Sequence, residues 1–492
     1  MPARGVVAAG HPRTAEAGAN ALRAGGNAVD AAVAAMLASL VTEPGLTGLG
    51  GGGYMLVAQP GGAATLLDFF VEAPGRGADP SRREELVPIP VTFGDVTQVF
   101  NAGPASVGTY GVPAGVFEAA RRFGSLPLAD LAAPAAAMAR DGVDINAEQA
   151  YVVALLGQIV TSTPECAAIY APEGRLLEAG ETIRQPELGD ILERLGREGA
   201  EPFYRGDIAA AVVDWLGPRG AMLTARDLAE YRAIPREPLR APYRDREVLT
   251  NPPPSAGGIL IAHALDLLEA TRGGTTPSQL VAAMAAAQEE RTPEFLEGLA
   301  EEGFAERFAA RRPGSTTHIS VIDAEARGCA VTCSNGEGAG IVVPGTGIHL
   351  NNMLGEQDLN PLGFHRHPPG RRMPSMMSPT VTMAAGAPEL VLGSGGSNRI
   401  RSAILQTLVA VVDGGLDVAD AVRSPRLHFE DGVLYAEPGA NLAGLEDAGH
   451  AISRFRELNL FFGGVHAVRR DPVTGQLAGG GDPRRGGSVV IA

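Results

Sequence analysis

At residues 313–318, Pro-Gly-Ser-Thr-Thr-His, the chain changes character, and that change limits the folds open to it. Upstream, apolar residues recur at helical spacing and end in a densely charged run over 289–312. Downstream, alternation at period two starts at once. Residues 318–323 and 329–334 read as two strands of a hairpin joined by a five-residue loop, 324–328. Strand-like runs return at 390–392, 434–436, 465–468 and 487–490, with helices at about 399–413 and 418–423. Strands mixed with helices, without strict alternation, predict a layered α+β architecture.

The first half is punctuated differently. Residues 14–23 have helical spacing and stop at Gly25-Gly26, after which Asn27 caps an Ala-rich helix running to about Thr42. Residues 45–53 form a glycine loop that leads into the strand Tyr54-Met55-Leu56-Val57. A nucleotide-binding fingerprint has the reverse order, strand then helix, and no Gly-Lys-Ser/Thr follows. The loop therefore reads as tight turning beside a buried site. Residues 75–114, rich in Pro, Gly and Arg, read as a long surface excursion, and helices are expected again within 115–142 and at 183–195, 205–216 and 259–268.

Composition removes several function classes. A formal charge of −16 disfavours nucleic acid and anionic membrane surfaces as partners. Cys166, Cys329 and Cys333 are too few, and odd in number, for a disulfide framework. No long apolar stretch follows Met1, and residues 31–41 are too short to span a bilayer, so a cytoplasmic location is expected. His365-x-His367 lies in a Pro-rich loop without a His-Glu-x-x-His helix, and Cys329 and Cys333 have no second ligand pair. No metal or cofactor is expected.

Two hydroxyl residues at a loop-to-strand junction suggest a hidden nucleophile. Were the peptide bond between Ser315 and Thr316 broken, Thr316 would carry a hydroxyl and a free α-amine together. Such an amine titrates at roughly 7.7–8.0, against about 10.4 for lysine, and can accept the hydroxyl proton near neutral pH. Alternation puts Thr316, His318 and Ser320 on one strand face, and the hairpin would bring Ser334 beside Thr316. A second candidate is Gly393-Ser394-Gly395-Gly396-Ser397-Asn398, between an apolar strand and a helix, where unhindered N–H groups could form an oxyanion hole. Each has a plainer alternative: threonines pack in strands, and glycines turn chains.

Taken together these residues resemble the γ-glutamyltranspeptidase family of N-terminal-nucleophile hydrolases. The resemblance runs through residues 26–33, 48–57, 252–258, 315–321, 347–352, 375–380 and 393–400, in that order. It implies a four-layer αββα sandwich and self-cleavage into a large subunit, 1–315, and a small subunit, 316–492, that stay together as one intertwined domain. Thr316 would attack a γ-glutamyl amide such as glutathione, and water or an amine would resolve the acyl-enzyme. The family's oxyanion positions fall on Gly396 and Ser397, its supporting hydroxyl on Ser334, and a neighbouring asparagine on Asn335. The ammonium-binding carboxylate falls on Glu356, and the paired carboxylate-binding serines on Ser375 and Met376.

The departures from the pattern concern the substrate. The family's Asp-Phe-Arg is Asp68-Phe69-Phe70 here, which removes the guanidinium that grips the α-carboxylate, leaving Arg76 in the next loop as the stand-in. A lost charge-assisted contact of that kind is worth about 1.5–3 kcal/mol. Met353 and Met376 replace a glutamine and a serine, the loop after Ser334 is about two residues shorter, and residues 353–374 lack a long lid. These changes favour, as the alternative, an acylase-like N-acyl amide hydrolase of the same fold. A silent protein that keeps the fold is the third reading.

Overall fold

A computed structural model describes residues 3–93, 96–271, 274–290, 316–357, 359–360, 363–446 and 449–492. Ser315 and most of the charged run upstream of it lie outside the described residues.

Two stacked sheets form the centre. In chain order their strands are β1 (Gly5–Ala9), β2 (Gly52–Ala58), β3 (Ala64–Phe69), β4 (Ile234–Arg236), β5 (Leu239–Tyr243), β6 (Arg246–Thr250), β7 (Thr317–Asp323), β8 (Gly328–Ser334), β9 (Thr380–Ala384), β10 (Ala387–Gly395), β11 (Gly464–Arg470), β12 (Leu477–Gly480) and β13 (Ser488–Ile491). The first sheet has the order β13-β1-β7-β8-β2-β3-β4, and the second β12-β11-β10-β9-β6-β5. Strands from both sides of Thr316 contribute to each sheet, and in the first sheet they are interleaved.

Period-two alternation assigns the two faces of every strand. In the first sheet Val7, Met55, Ile319, Val321 and Val331 face outward, under helices α1 (Pro12–Arg23), α2 (Ala28–Thr42), α3 (Val112–Phe123) and α4 (Leu128–Asp141). In the second, Val248, Leu390, Leu392 and Val465 face outward, under α5 (Gly257–Glu269), α6 (Pro277–Glu289), α7 (Arg399–Val412) and α8 (Val418–Arg423). Val6, Leu56, Ile322, Ala330, Val381, Val391 and Val468 fill the space between the sheets. This is the expected αββα sandwich. No described helix is long and apolar enough to cross a membrane.

Every residue of α2 is buried, as befits a helix apolar all round. Asn27 starts it through a capping box, taking the Val29 N–H at 2.8 Å while Asp30 Oδ2 takes the Asn27 N–H at 2.8 Å. The β7–β8 connection is residues 324–327, one shorter than expected, because Gly328 already pairs with Ile322. The stretch read as a surface excursion contains a two-stranded ladder, Val87–Phe93 with Val96–Ala102.

Candidate active site

The β7–β8 register sets Thr317 opposite Cys333; one step further on, Thr316 comes opposite Ser334. Both side chains then point between the sheets, at the end where β10 finishes in Gly395. Thr316 is fully buried, and its Oγ1 has no hydrogen-bond partner among the described residues. A buried hydroxyl with nothing to bind is costly, and such groups concentrate where chemistry is done.

Behind Thr316 runs a polar column. His318 Nδ1 lies 2.7 Å from Thr332 Oγ1, its Nε2 lies 2.9 Å from Ser320 Oγ, and Ser320 donates to the His466 carbonyl at 2.9 Å. Burial pushes the His318 imidazolium well below its ordinary range, so the ring is neutral and serves as a spacer. It packs on Gly393, where any side chain would overlap it. On the opposite face Thr317 Oγ1 donates to Glu43 Oε2 at 2.6 Å. Burial pushes the Glu43 carboxyl up to about 7, partly offset by hydrogen bonds from Thr317 and Thr14 and the nearby Arg485 charge.

The glycine loop after β10 closes the site from the second sheet. A Cβ on Gly395 would overlap the Thr316 carbonyl oxygen, so only glycine lets the two backbones approach this closely. Gly396 follows with φ +119°, and Ser397 with φ +58°, at the start of α7. Among the described residues the Gly396 N–H has no acceptor. A bare N–H at a helix start, beside a bare hydroxyl, is what a developing oxyanion requires.

On the other flank the Gly336 N–H donates to Ser334 Oγ at 2.8 Å. Asn335 is anchored through its N–H to the Leu46 carbonyl, 3.1 Å, and through Nδ2 to the Leu350 carbonyl, 3.3 Å. A side chain at Gly336 would meet the Glu356 carboxylate and the Asn352 amide oxygen, so both stand within one residue of Asn335. Thr316, Ser334, Asn335, Glu356, Gly396 and Ser397 therefore cluster at one end of the sandwich.

Ser375 and Met376 are held by their own surroundings. Ser375 Oγ accepts the Met377 N–H at 3.0 Å, and its carbonyl accepts Ser255 Oγ at 2.9 Å. Met376 is fully buried on the helix side of the second sheet, in a cluster with Ile259 and Ile400, so it lines the core and not a pocket. Arg76 does not stand in for the absent guanidinium: it pairs with Glu72 at 3.1 Å, Asp227 at 3.4 Å and Glu230 at 3.0 Å. Phe70 stacks on Tyr54, with centroids 5.5 Å apart, in the space between the sheets. Sequence reasoning missed two ionisable neighbours of this strand's start. One is Glu43. The other is Arg485, buried, whose Nη1 donates to the Thr316 carbonyl at 3.2 Å. A cavity of about 320 Å³ opens beside Arg485, with Leu46, Tyr151, Leu458 and Asn459 in its wall.

A buried threonine just before a central strand, a hydroxyl residue opposite it and a glycine loop against it, at one end of an αββα sandwich, match the fold of the N-terminal-nucleophile hydrolases. The γ-glutamyltranspeptidase family model matches residues 14–295 and 278–492, and the chain belongs to that family of enzymes. It is 32% identical to the glutathione hydrolase proenzyme of Escherichia coli strain K12, across 98% of this chain and 90% of that protein. It is 31% identical to the acylase ACY 1 proenzyme of Pseudomonas sp. strain SE83, across 99% and 93%. The crystal structure of a cephalosporin acylase from Bacillus halodurans superposes with a TM-score of 0.85 at 27% identity, covering 99% of this chain and 96% of that one.

Proposed function

We propose that the chain is a proenzyme that cuts itself between Ser315 and Thr316 and then cleaves γ-glutamyl amides, glutathione among them, through a threonine acyl-enzyme. The liberated α-amine takes the Oγ1 proton as the oxygen attacks the amide carbon. The carbonyl electrons move onto oxygen, which the Gly396 N–H receives. Collapse expels the leaving amine, which carries away the proton, and leaves the acyl group as an ester on Thr316. Water or a second amine then attacks that ester and returns the proton to the threonine. Glu356 and Asn335 supply oxygens for the substrate ammonium. The observation that carries this reading is the buried, unpartnered Thr316 Oγ1 opposite Ser334 and against Gly395. N-terminal sequencing of the smaller fragment tests it: the expected first residue is Thr316, and an active enzyme of one unbroken chain refutes it.

Two observations favour a second reading, an acylase for N-acyl amides that lack the amino-acid head. Phe70 stacks on Tyr54, and Arg76 is held by three carboxylates. Turnover of γ-glutamyl-p-nitroanilide against glutaryl-p-nitroanilide separates the two. A strong preference for the first substrate rejects the acylase reading, and a strong preference for the second rejects the transpeptidase one.

A further inference from the structure

Arg485 is a buried cation that Asp482 and Glu43 attract without pairing with it. Among the described residues it forms no ion pair, its Nε has no partner, and its hydrogen bond goes to the Thr316 carbonyl. A buried guanidinium normally fills its fork with carboxylates. Of the acids near it, Asp482 pairs with Arg426 at 2.6 Å and Arg484 at 3.1 Å, while Glu148 and Glu457 line the cavity beside Arg485 without pairing with it. Arg399, at the start of α7, adds a second positive charge near Arg485. From β11 His466 faces the same space, neutral because burial pushes it down to about 4, and His318 on β7 is neutral too. From the end of α2 comes Glu43, the one acid bonded to the nucleophile strand here, itself half-titrated near neutrality.

We propose that Arg485 keeps the liberated α-amine of Thr316 in its neutral, proton-accepting form. The inference rests on the reading of Thr316 as a processed terminal nucleophile. The nitrogen and carbonyl oxygen of one residue are about 3 Å apart in any backbone conformation, so a guanidinium 3.2 Å from that oxygen stands within roughly 6 Å of the amine. A like charge at that range disfavours the ammonium and lowers its pKa by about one to two units. The amine then accepts the Oγ1 proton below the pH at which a free terminus would. Glu43 opposes this effect, so the pair sets the lower pH limit of activity.

The test is competitive acylation of the Thr316 α-amine across pH 5–9 in processed enzyme, read by mass spectrometry of the terminal peptide, without any substrate. Arg485→Gln is expected to raise the amine pKa by about one unit, and Arg485→Lys to restore it to within about a third of a unit. The acid limb of kcat/KM should move up by the same amount in the glutamine variant alone. Glu43→Gln, should the first variant fail to accumulate, is expected to shift the amine downward. A terminal threonine that titrates alike in wild type and in the variant obtained overturns this inference and leaves the nucleophile in place. A chain with no Thr316 terminus overturns both.

Discussion

Gly396→Ala is the sharpest single perturbation of the proposed oxyanion loop. An added Cβ would stand 2.6 Å from the Gly463 Cα and 3.1 Å from its nitrogen. Carbon atoms rest at about 3.5–4.0 Å, so the loop must move by roughly 1 Å to admit the methyl group. Both neighbours are backbone and cannot rotate away. The position also has φ +119°, which an L-residue occupies at a cost of about 1–3 kcal/mol. A shift of about 1 Å between an oxyanion donor and its target lowers rates by roughly a hundredfold. We therefore expect kcat on the preferred p-nitroanilide to fall about a hundredfold with KM nearly unchanged, in a protein that still yields a Thr316 terminus. Steady-state kinetics, normalised by titration with a covalent inactivator, measures it. A variant within threefold of the wild-type kcat would refute the placement of the oxyanion at Gly396.

Ser334→Ala removes the hydroxyl opposite Thr316 and should lower kcat about ten- to a hundredfold, while loss of the Gly336 contact costs only about 1 kcal/mol of stability in urea titration. Glu43→Gln has a pH signature in stability. The Glu43 carboxyl is raised from 4.5 to about 7 in the folded chain, so the wild type matches the variant below about pH 4.5 and loses stability as pH rises through 7. The gap should approach about 3 kcal/mol above that window; equal urea midpoints for the two proteins at pH 5 and pH 8 would refute it. Asp68→Ala strands Arg236 and Arg372, which pair with Asp68 at 2.8 and 3.3 Å, and should cost about 3–5 kcal/mol by urea denaturation.

Features set by neighbours in sequence were legible. Asn27, three residues before Asp30, announces the start of α2, and period two in residues 317–334 announces the hairpin and its pairing of Thr316 with Ser334. The glycines at 395–396 were legible as a turn next to a helix, but their closeness to Thr316 was not, since it depends on how two sheets stack. Arg485 and Glu43 carry no local signal: one follows a proline turn near the C-terminus, and the other ends a helix. The ladder at residues 87–102 was hidden by its prolines and glycines, which read as loop. The burial of Met376 in the apolar cluster under α5 was not legible either, since it depends on how residues 375–377 pack against that helix.

The interleaving of strands from both sides of Thr316 bears on what a nick there can do. β7 sits between β1 and β8, and β8 between β7 and β2, so neither portion has a complete hydrogen-bonded ladder without the other. A broken bond frees two chain ends and no movable body. Halves produced separately should stay insoluble until they are refolded in each other's presence, as a permuted polypeptide would be, and the cut ought to be invisible to any method that weighs the native particle.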